Sequence, residues 1–158
     1  MRKQLEAIGL AGLTLMVWIT GQALYGPARL PDRIPTHFDA AGNPNGWGPA
    51  FSLLFLPLVA VVIYSLISVI ARFPALFNYP VRVTEENRAR LEALTIRMLA
   101  WLKVELVCLF AWIQWFIVRC ARQAHGTLSP AVVVLFLIAV FGTVGWHILA
   151  IFRAVRPE

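Results

Sequence analysis

Residues 30–50 read LPDRIPTHFDAAGNPNGWGPA, a polar stretch set between two fully apolar segments. Five of the chain's ten prolines fall in or just before it (Pro27, Pro31, Pro35, Pro44, Pro49), with four of its ten glycines (Gly26, Gly42, Gly46, Gly48). Proline fixes φ and glycine permits φ > 0, so their spaced alternation specifies a path rather than a floppy linker. Pro31 and Pro35 push the residues before them towards extended geometry. Asn45-Gly46 reads as a tight-turn dipeptide, with Trp47 directly after it. The expectation is a compact, ordered loop over 26–50, with an apolar side (Ile34, Phe38, Trp47) and a polar set (Asp32, His37, Asp39, Asn43, Asn45).

The chain around this loop is 59% hydrophobic and only 14% charged. Soluble domains run at about 45–50% apolar and about 25% charged residues. The excess is gathered in runs at about 5–25, 51–71, 98–118 and 131–152, each long enough to span a bilayer. The fold class read from this is an all-α integral membrane protein: four transmembrane helices, one membrane domain over 1–158, and an ordered extracytoplasmic loop between helices one and two. The first run is an uncleaved helix, since no A-x-A site follows its 21 or so residues. Gly9 and Gly12 are packing positions on it, where helix backbones approach closely.

The formal net charge of +6 comes from basic residues that flank apolar runs, which excludes a nucleic-acid-binding domain and assigns topology instead. Four spans place both termini and the 72–97 loop on one side. Nine of the fourteen Lys and Arg residues lie there, four lie on the other side, and Lys103 lies within the third span. Positive-inside then puts both termini in the cytoplasm and loop 26–50 outside. In the cytoplasmic loop, Thr84 caps a helix that begins Glu85-Glu86, and Glu86 and Arg90 stand at i,i+4. Leu91, Leu94 and Met98 form an apolar stripe, so this helix starts amphipathic before entering the membrane. A His125-Gly126 turn, Ser129 as N-cap and Pro130 at the first helical position lead into the fourth span, which Arg153 and Arg156 end.

The pattern I-P-x-H-F-D-x-x-G-x-P-x-G-W-G, Ile34 to Gly48, resembles the loop module of a bacterial domain of unknown function. That module recurs near the N-terminus of membrane proteins related to the SdpI toxin-immunity and signalling protein. The N-Y-P-V-x-x-T-E-E-N run at Asn78 to Asn87 is similar to small uncharacterised proteins carrying the same module. The resemblance implies a bacterial cytoplasmic (inner) membrane protein that senses, or gives immunity against, an extracytoplasmic peptide or envelope stress. Ile34, Pro35, His37, Phe38, Asp39, Gly42, Pro44, Gly46 and Trp47 would then be the ligand or loop-module residues. The implied partners are membrane lipid, an extracytoplasmic peptide, a cytosolic regulator and further copies of the chain.

Two constellations could carry chemistry. Glu105 lies inside the third span, where a charge costs about 2.5–3.5 kcal/mol on insertion scales. His147 lies in the fourth span, and both sit about 9 Å from the same end of their helices. The expectation is a Glu105–His147 hydrogen-bonded pair, either a proton or solute path in a small oligomeric transporter or a polar staple between helices. Lys103 points elsewhere and is expected to snorkel to the headgroups. His37 with Asp39 and Asp32 could bind a metal or a basic peptide group, or His37 could hold the turn. No second histidine or cysteine stands nearby, and zinc needs three or four ligands, so no metal and no cofactor is assigned. Cys108 and Cys120 share one helix about 18 Å apart, too far for a disulfide. With no G-x-S-x-G, H-E-x-x-H, P-loop or G-x-G-x-x-G, no catalytic residue is assigned and the chain reads as a non-enzyme.

Overall fold

A computed structural model describes residues 2–123 and 126–155. His125 and Arg156, expected to form a turn and to stop the last span, lie outside the described residues. The order is helix α1 (Arg2–Tyr25), strand β1 (Arg33–Phe38), strand β2 (Pro44–Pro49), a 3-10 helix (Ala50–Leu54), α2 (Phe55–Ile70), a 3-10 turn (Pro74–Leu76), α3 (Glu85–Gln123) and α4 (Pro130–Arg153). The architecture is predominantly helical, and four helical segments are long and apolar enough to cross a membrane. Their outward faces carry large apolar side chains, among them Trp18, Leu135 and Phe141, the last 71% exposed. Such faces are stable in hydrocarbon and not in water. The chain is a multi-pass membrane protein.

The all-α expectation needs correcting between α1 and α2. There β1 and β2 pair antiparallel in the register Arg33↔Pro49, Ile34↔Gly48, Pro35↔Trp47, His37↔Gly46 and Phe38↔Pro44. The register slips once on each strand, at Thr36 and at Asn45, so two bulges cancel. Asn45-Gly46 is therefore not the turn but part of β2. The turn lies at residues 39–43, closed by Gly42 N–H to the Asp39 carbonyl (2.9 Å) and Asp39 N–H to the Asn43 carbonyl (2.9 Å). Gly42 takes the left-handed conformation, φ +85°.

α3 organises the rest. At 39 residues it extends about 58 Å, against a hydrocarbon core of about 30 Å. Its start is a reciprocal cap: Thr84 Oγ1 accepts from the Asn87 amide (3.3 Å) and Asn87 Oδ1 accepts from the Thr84 amide (2.8 Å). This is the capping-box arrangement with Asn in the third position. Glu86 and Arg90 close no ion pair; among the described residues that contact occurs at Lys103 and Glu6. α1 and α2 pack on α3 and on each other, and α4 packs principally on α3. A Cβ at Gly9 would meet the Tyr64 ring at 2.7 Å, and one at Gly12 would meet Val107 Cγ1 at 2.6 Å, so both glycines set the helix spacing. α2 begins later than its apolar run because Ala50–Leu54 winds as a 3-10 helix. Pro57 then falls in the first α-turn, where no intrahelical N–H bond is lost. Ser129 precedes α4 without a side-chain capping bond, while Pro130 occupies the first turn as expected.

The hairpin is fixed to the helices at one end. Leu30, Ile34 and Leu53 pack with Ala23 of α1 and Ile117, Val118 and Ala121 of α3. Phe38 meets Phe116 edge-on at 5.6 Å between ring centres. The α3–α4 connection closes over the hairpin turn, with Leu128 N–H donating to the Gly42 carbonyl (2.7 Å) and Thr127 Oγ1 to Asn43 Oδ1 (3.1 Å). A Cβ on Gly42 would lie 1.8 Å from the Leu128 carbonyl oxygen. Gly42→Ala is expected to force these turns apart and destabilise the protein by about 2 kcal/mol or more, because left-handed strain adds to the clash. Gly21→Ala, within α1 and with nothing within 4 Å, should keep stability or raise it by up to about 1 kcal/mol. Thermal unfolding of the two variants in detergent, followed by circular dichroism, checks the contrast.

Candidate functional site

Three polar constellations lie within or against the apolar bundle. The first was not anticipated from sequence. Lys103 is 97% removed from solvent, its ammonium held by both carboxylate oxygens of Glu6 (2.6 and 2.7 Å) and by Ser68 Oγ (3.0 Å). Tyr64 O–H donates to Glu6 Oε2 (2.6 Å), and its ring lies 4.6 Å from the ammonium. Thus α1, α2 and α3 meet at one charge pair. The expectation that Lys103 snorkels is overturned. Its three donors are all satisfied inside the bundle, so reaching for headgroups would strand Glu6. The available signal was the one acid of the first apolar run, Glu6, and the one base of the third, Lys103, at the same end of the membrane.

Nearer the hairpin, a second polar contact ties α1 to α3. Gln114 is fully buried and donates to the Met16 carbonyl (2.8 Å) and to Thr20 Oγ1 (2.6 Å). Its distance from Lys103 along α3 is eleven residues, about 16 Å. The two contacts fix both the height and the rotation of α1 on α3.

The third constellation corrects the expected Glu105–His147 pair. The two side chains do not bond each other. Both bond Thr143: its Oγ1 donates to Glu105 Oε1 (2.5 Å), and its carbonyl accepts from His147 Nδ1 (2.8 Å). A backbone carbonyl can only accept, so the proton is on Nδ1, and Nε2 of a neutral ring is an acceptor. A threonine one helical turn before His147 therefore reaches Glu105 first. His147 is buried, and Glu105 Oε2 is buried with no hydrogen-bond partner. Both line a cleft of about 440 Å³ with Arg97, Trp101, Thr143 and Trp146.

In the hairpin, the proposed module residues divide by face. Ile34 and Pro35 are buried, and Phe38 covers Phe116. His37 is exposed and bonds through Nδ1 to Asn45 Oδ1 across the strands. Asp39 accepts from the Asn43 amide (2.8 Å), which, more than any other contact, holds its carboxyl below the usual range. Asp32 acts through its carbonyl, which accepts from Ala50 N–H (2.9 Å). His37, Asp39 and Asp32 thus face three separate tasks and do not converge. Among the described residues no three His, Cys, Asp or Glu side chains gather as a metal site. Gly46 lies opposite His37, where a Cβ would come within 2.8 Å of the histidine Cβ. Pro44 pairs with Phe38 at the strand end, and Trp47, 46% exposed, is the largest exposed apolar group of the hairpin. Cys120 is buried, whereas Cys108 faces outward.

This is a helical, multi-pass membrane protein carrying a small hairpin at one end. Residues 12–61, the second half of α1 through the hairpin into α2, match the family described as Domain of unknown function (DUF1648). An uncharacterized protein of Archaeoglobus fulgidus is 30% identical over 101 residues, covering 55% of this chain and 54% of that protein. The chain thus spans about half the length of the curated relative it matches. No solved structure matches.

Removing one partner of the Lys103–Glu6 pair leaves a buried charge. Lys103→Met is expected to destabilise the bundle by about 3 kcal/mol. The double variant Glu6→Gln/Lys103→Met should recover most of that loss. Unfolding in mixed detergent micelles, compared across the four-member cycle, checks it; additive losses would contradict the pairing.

Proposed function

We propose that the protein is a non-enzymatic relay of the SdpI-related kind in a bacterial cytoplasmic membrane, with both termini in the cytoplasm. The hairpin recognises an extracytoplasmic peptide or a sign of envelope stress. α3 carries the response to a cytosolic regulator, and the output is sensing or immunity. The observation behind this reading is that the hairpin's apolar underside rests on Phe116, Ile117, Val118 and Ala121 of the same uninterrupted helix that begins, at its other end, with the charged stretch Glu85–Arg97. A ligand that shifts the hairpin therefore pushes on a rigid rod about 58 Å long, and coupling requires no flexible joint. The hairpin exposes Trp47 on one strand and His37 on the other. An aromatic and a hydrogen-bonding ring suit an extended peptide.

The test is a deletion strain challenged with the secreted peptides encoded beside the gene. Restoring the chain should restore survival, and Trp47→Ala/His37→Ala should lose at least tenfold of it at equal membrane abundance. Full protection by that variant, or a tag at residues 40–41 shielded from reagents outside intact cells, rejects the reading.

A second reading rests on the unpartnered Glu105 Oε2 beside His147. In hydrocarbon such an oxygen is satisfied by a proton or by a passing cation. The chain would then be a small oligomeric transporter or an accessory subunit. Proton-coupled flux in proteoliposomes, abolished by Glu105→Gln with the fold intact, is the expected result; no flux in the parent protein removes this reading.

A further inference from the structure

We propose a binding site for an anionic phospholipid between α1 and α2, at the end of the bundle that holds the N-terminus. A cleft of about 540 Å³ opens there, lined among others by Arg2, Glu6, Leu10, Val61, Arg72 and Lys103. The chemistry of this lining is graded. Arg2 opens α1 and Arg72 follows the end of α2, so two exposed guanidiniums flank the mouth. Leu10 and Val61, both outward-facing, and the buried Leu13 lie deeper. From Arg2 to Leu13 is eleven residues, about 16 Å along the helix. Charge at the membrane edge and an apolar wall running into the hydrocarbon is the outline of a phospholipid.

The charge balance argues for an anion. Among the described residues one carboxylate, Glu6, lines the cleft, and both its oxygens are engaged by Lys103, with Tyr64 O–H donating to Oε2 as well. The Lys103 ammonium is in turn saturated by Glu6 and Ser68. Counting the described residues that line the cleft, Glu6 and Lys103 cancel, and Arg2 and Arg72 leave a net charge of about +2. Guanidinium is the side chain suited to bidentate phosphate binding. Ser65, exposed in the same lining, adds a hydroxyl. Basic pockets between spanning helices are known lipid-headgroup sites. A phosphodiester at Arg2 and Arg72, with one acyl chain along Leu10 and Val61, satisfies every group in the lining. This site lies at the opposite end from the hairpin and stands whether or not the relay reading holds.

The experiment uses the full chain in nanodiscs of equal phosphatidylglycerol and phosphatidylcholine, with the retained lipid counted by native mass spectrometry. The parent protein should retain phosphatidylglycerol over phosphatidylcholine by roughly 30-fold, two arginines' worth of attraction. Arg2→Gln/Arg72→Gln should reduce this to about twofold or less, while Arg88→Gln/Arg90→Gln, on the amphipathic start of α3, should retain it. Equal retention of the two lipids, or a preference unchanged in the first variant, overturns the proposal. Loss of phosphatidylglycerol to millimolar inorganic phosphate also overturns it, because the ligand would then be free phosphate rather than lipid. Should the double variant not fold, the parent protein still decides: phosphatidylglycerol with a photoreactive group in its acyl chain should label the segments around Leu10 and Val61, and labelling confined to α4 rejects the site.

Discussion

A lysine buried in a membrane bundle has few places to go, and the arrangement of the first three helices follows from where this one goes. The Lys103 ammonium needs an anion, and Glu6 supplies it with both oxygens. That fixes α1 against α3. Tyr64 and Ser68 then bond the two members of the pair, which fixes α2 against both. Desolvating the charges costs several kcal/mol each, so the pair is weak as a source of net stability. It is strong as a specifier. Hydrocarbon penalises every register in which one charge is left alone, and apolar packing between helices offers no comparable discrimination. The glycines at positions 9 and 12 make the arrangement reachable by letting Tyr64 and Val107 close on α1.

The hairpin depends on the same helix from the other end. Its strands are short, and an isolated two-stranded hairpin is marginal in water. Here Ile34 and Phe38 point into α3, and the 126–129 connection covers the turn. Ile34 and Pro35 are buried and Phe38 is partly buried, while His37 and Trp47 remain accessible, and two bulges that cancel let the strands keep their pairing at both ends. Position and rigidity are thus supplied by the bundle, and the module contributes the surface. The family match over residues 12–61 takes in the hairpin with the second half of α1 and the start of α2, but not α3, on which the hairpin rests.

How much of this was legible beforehand depended on the range of the interaction. The four apolar helices were readable because length and composition are local properties. The Thr84 cap was readable because its partners, Asn87 and the helix start, are three residues away. The hairpin was half-readable. Prolines and glycines announced a defined path, but Asn45-Gly46 imitates a turn so well that the true turn at Gly42 was passed over. Gly42 is selected by the Leu128 carbonyl, which belongs to a connection 86 residues later. Glu6–Lys103 is hard to read for the same reason: 97 residues separate the partners, and their shared signal is only opposite charge at the same end of the membrane. Glu105 and His147 were found as residues but mispaired. Equal depth on neighbouring helices was visible, whereas the helix rotation that turns Thr143 towards Glu105 was not.

The least constrained part of the molecule carries one of its unmet polar atoms, beside Gln114 Oε1 and the Tyr79 hydroxyl elsewhere. α4 packs principally on α3, and most of its surface faces outward, so it lacks the multiple contacts that hold α1 and α2. Its polar contact with α3 is the Thr143–Glu105 bond, which satisfies one carboxylate oxygen and leaves the other buried without a partner. A helix packed principally against a single neighbour, with one side-chain hydrogen bond to it, has a lower barrier to movement than one held between two others through an ion pair and a buried amide. Changing what occupies Glu105 Oε2 therefore acts where the fold resists least. The hairpin turn and the α3–α4 connection are bonded at Gly42 and Leu128, so displacement of α4 would be felt at the turn that carries Asn43 and, through it, Asp39. The relay and transport readings thus share one mechanical element, and they differ in whether the hairpin or the carboxylate is the input.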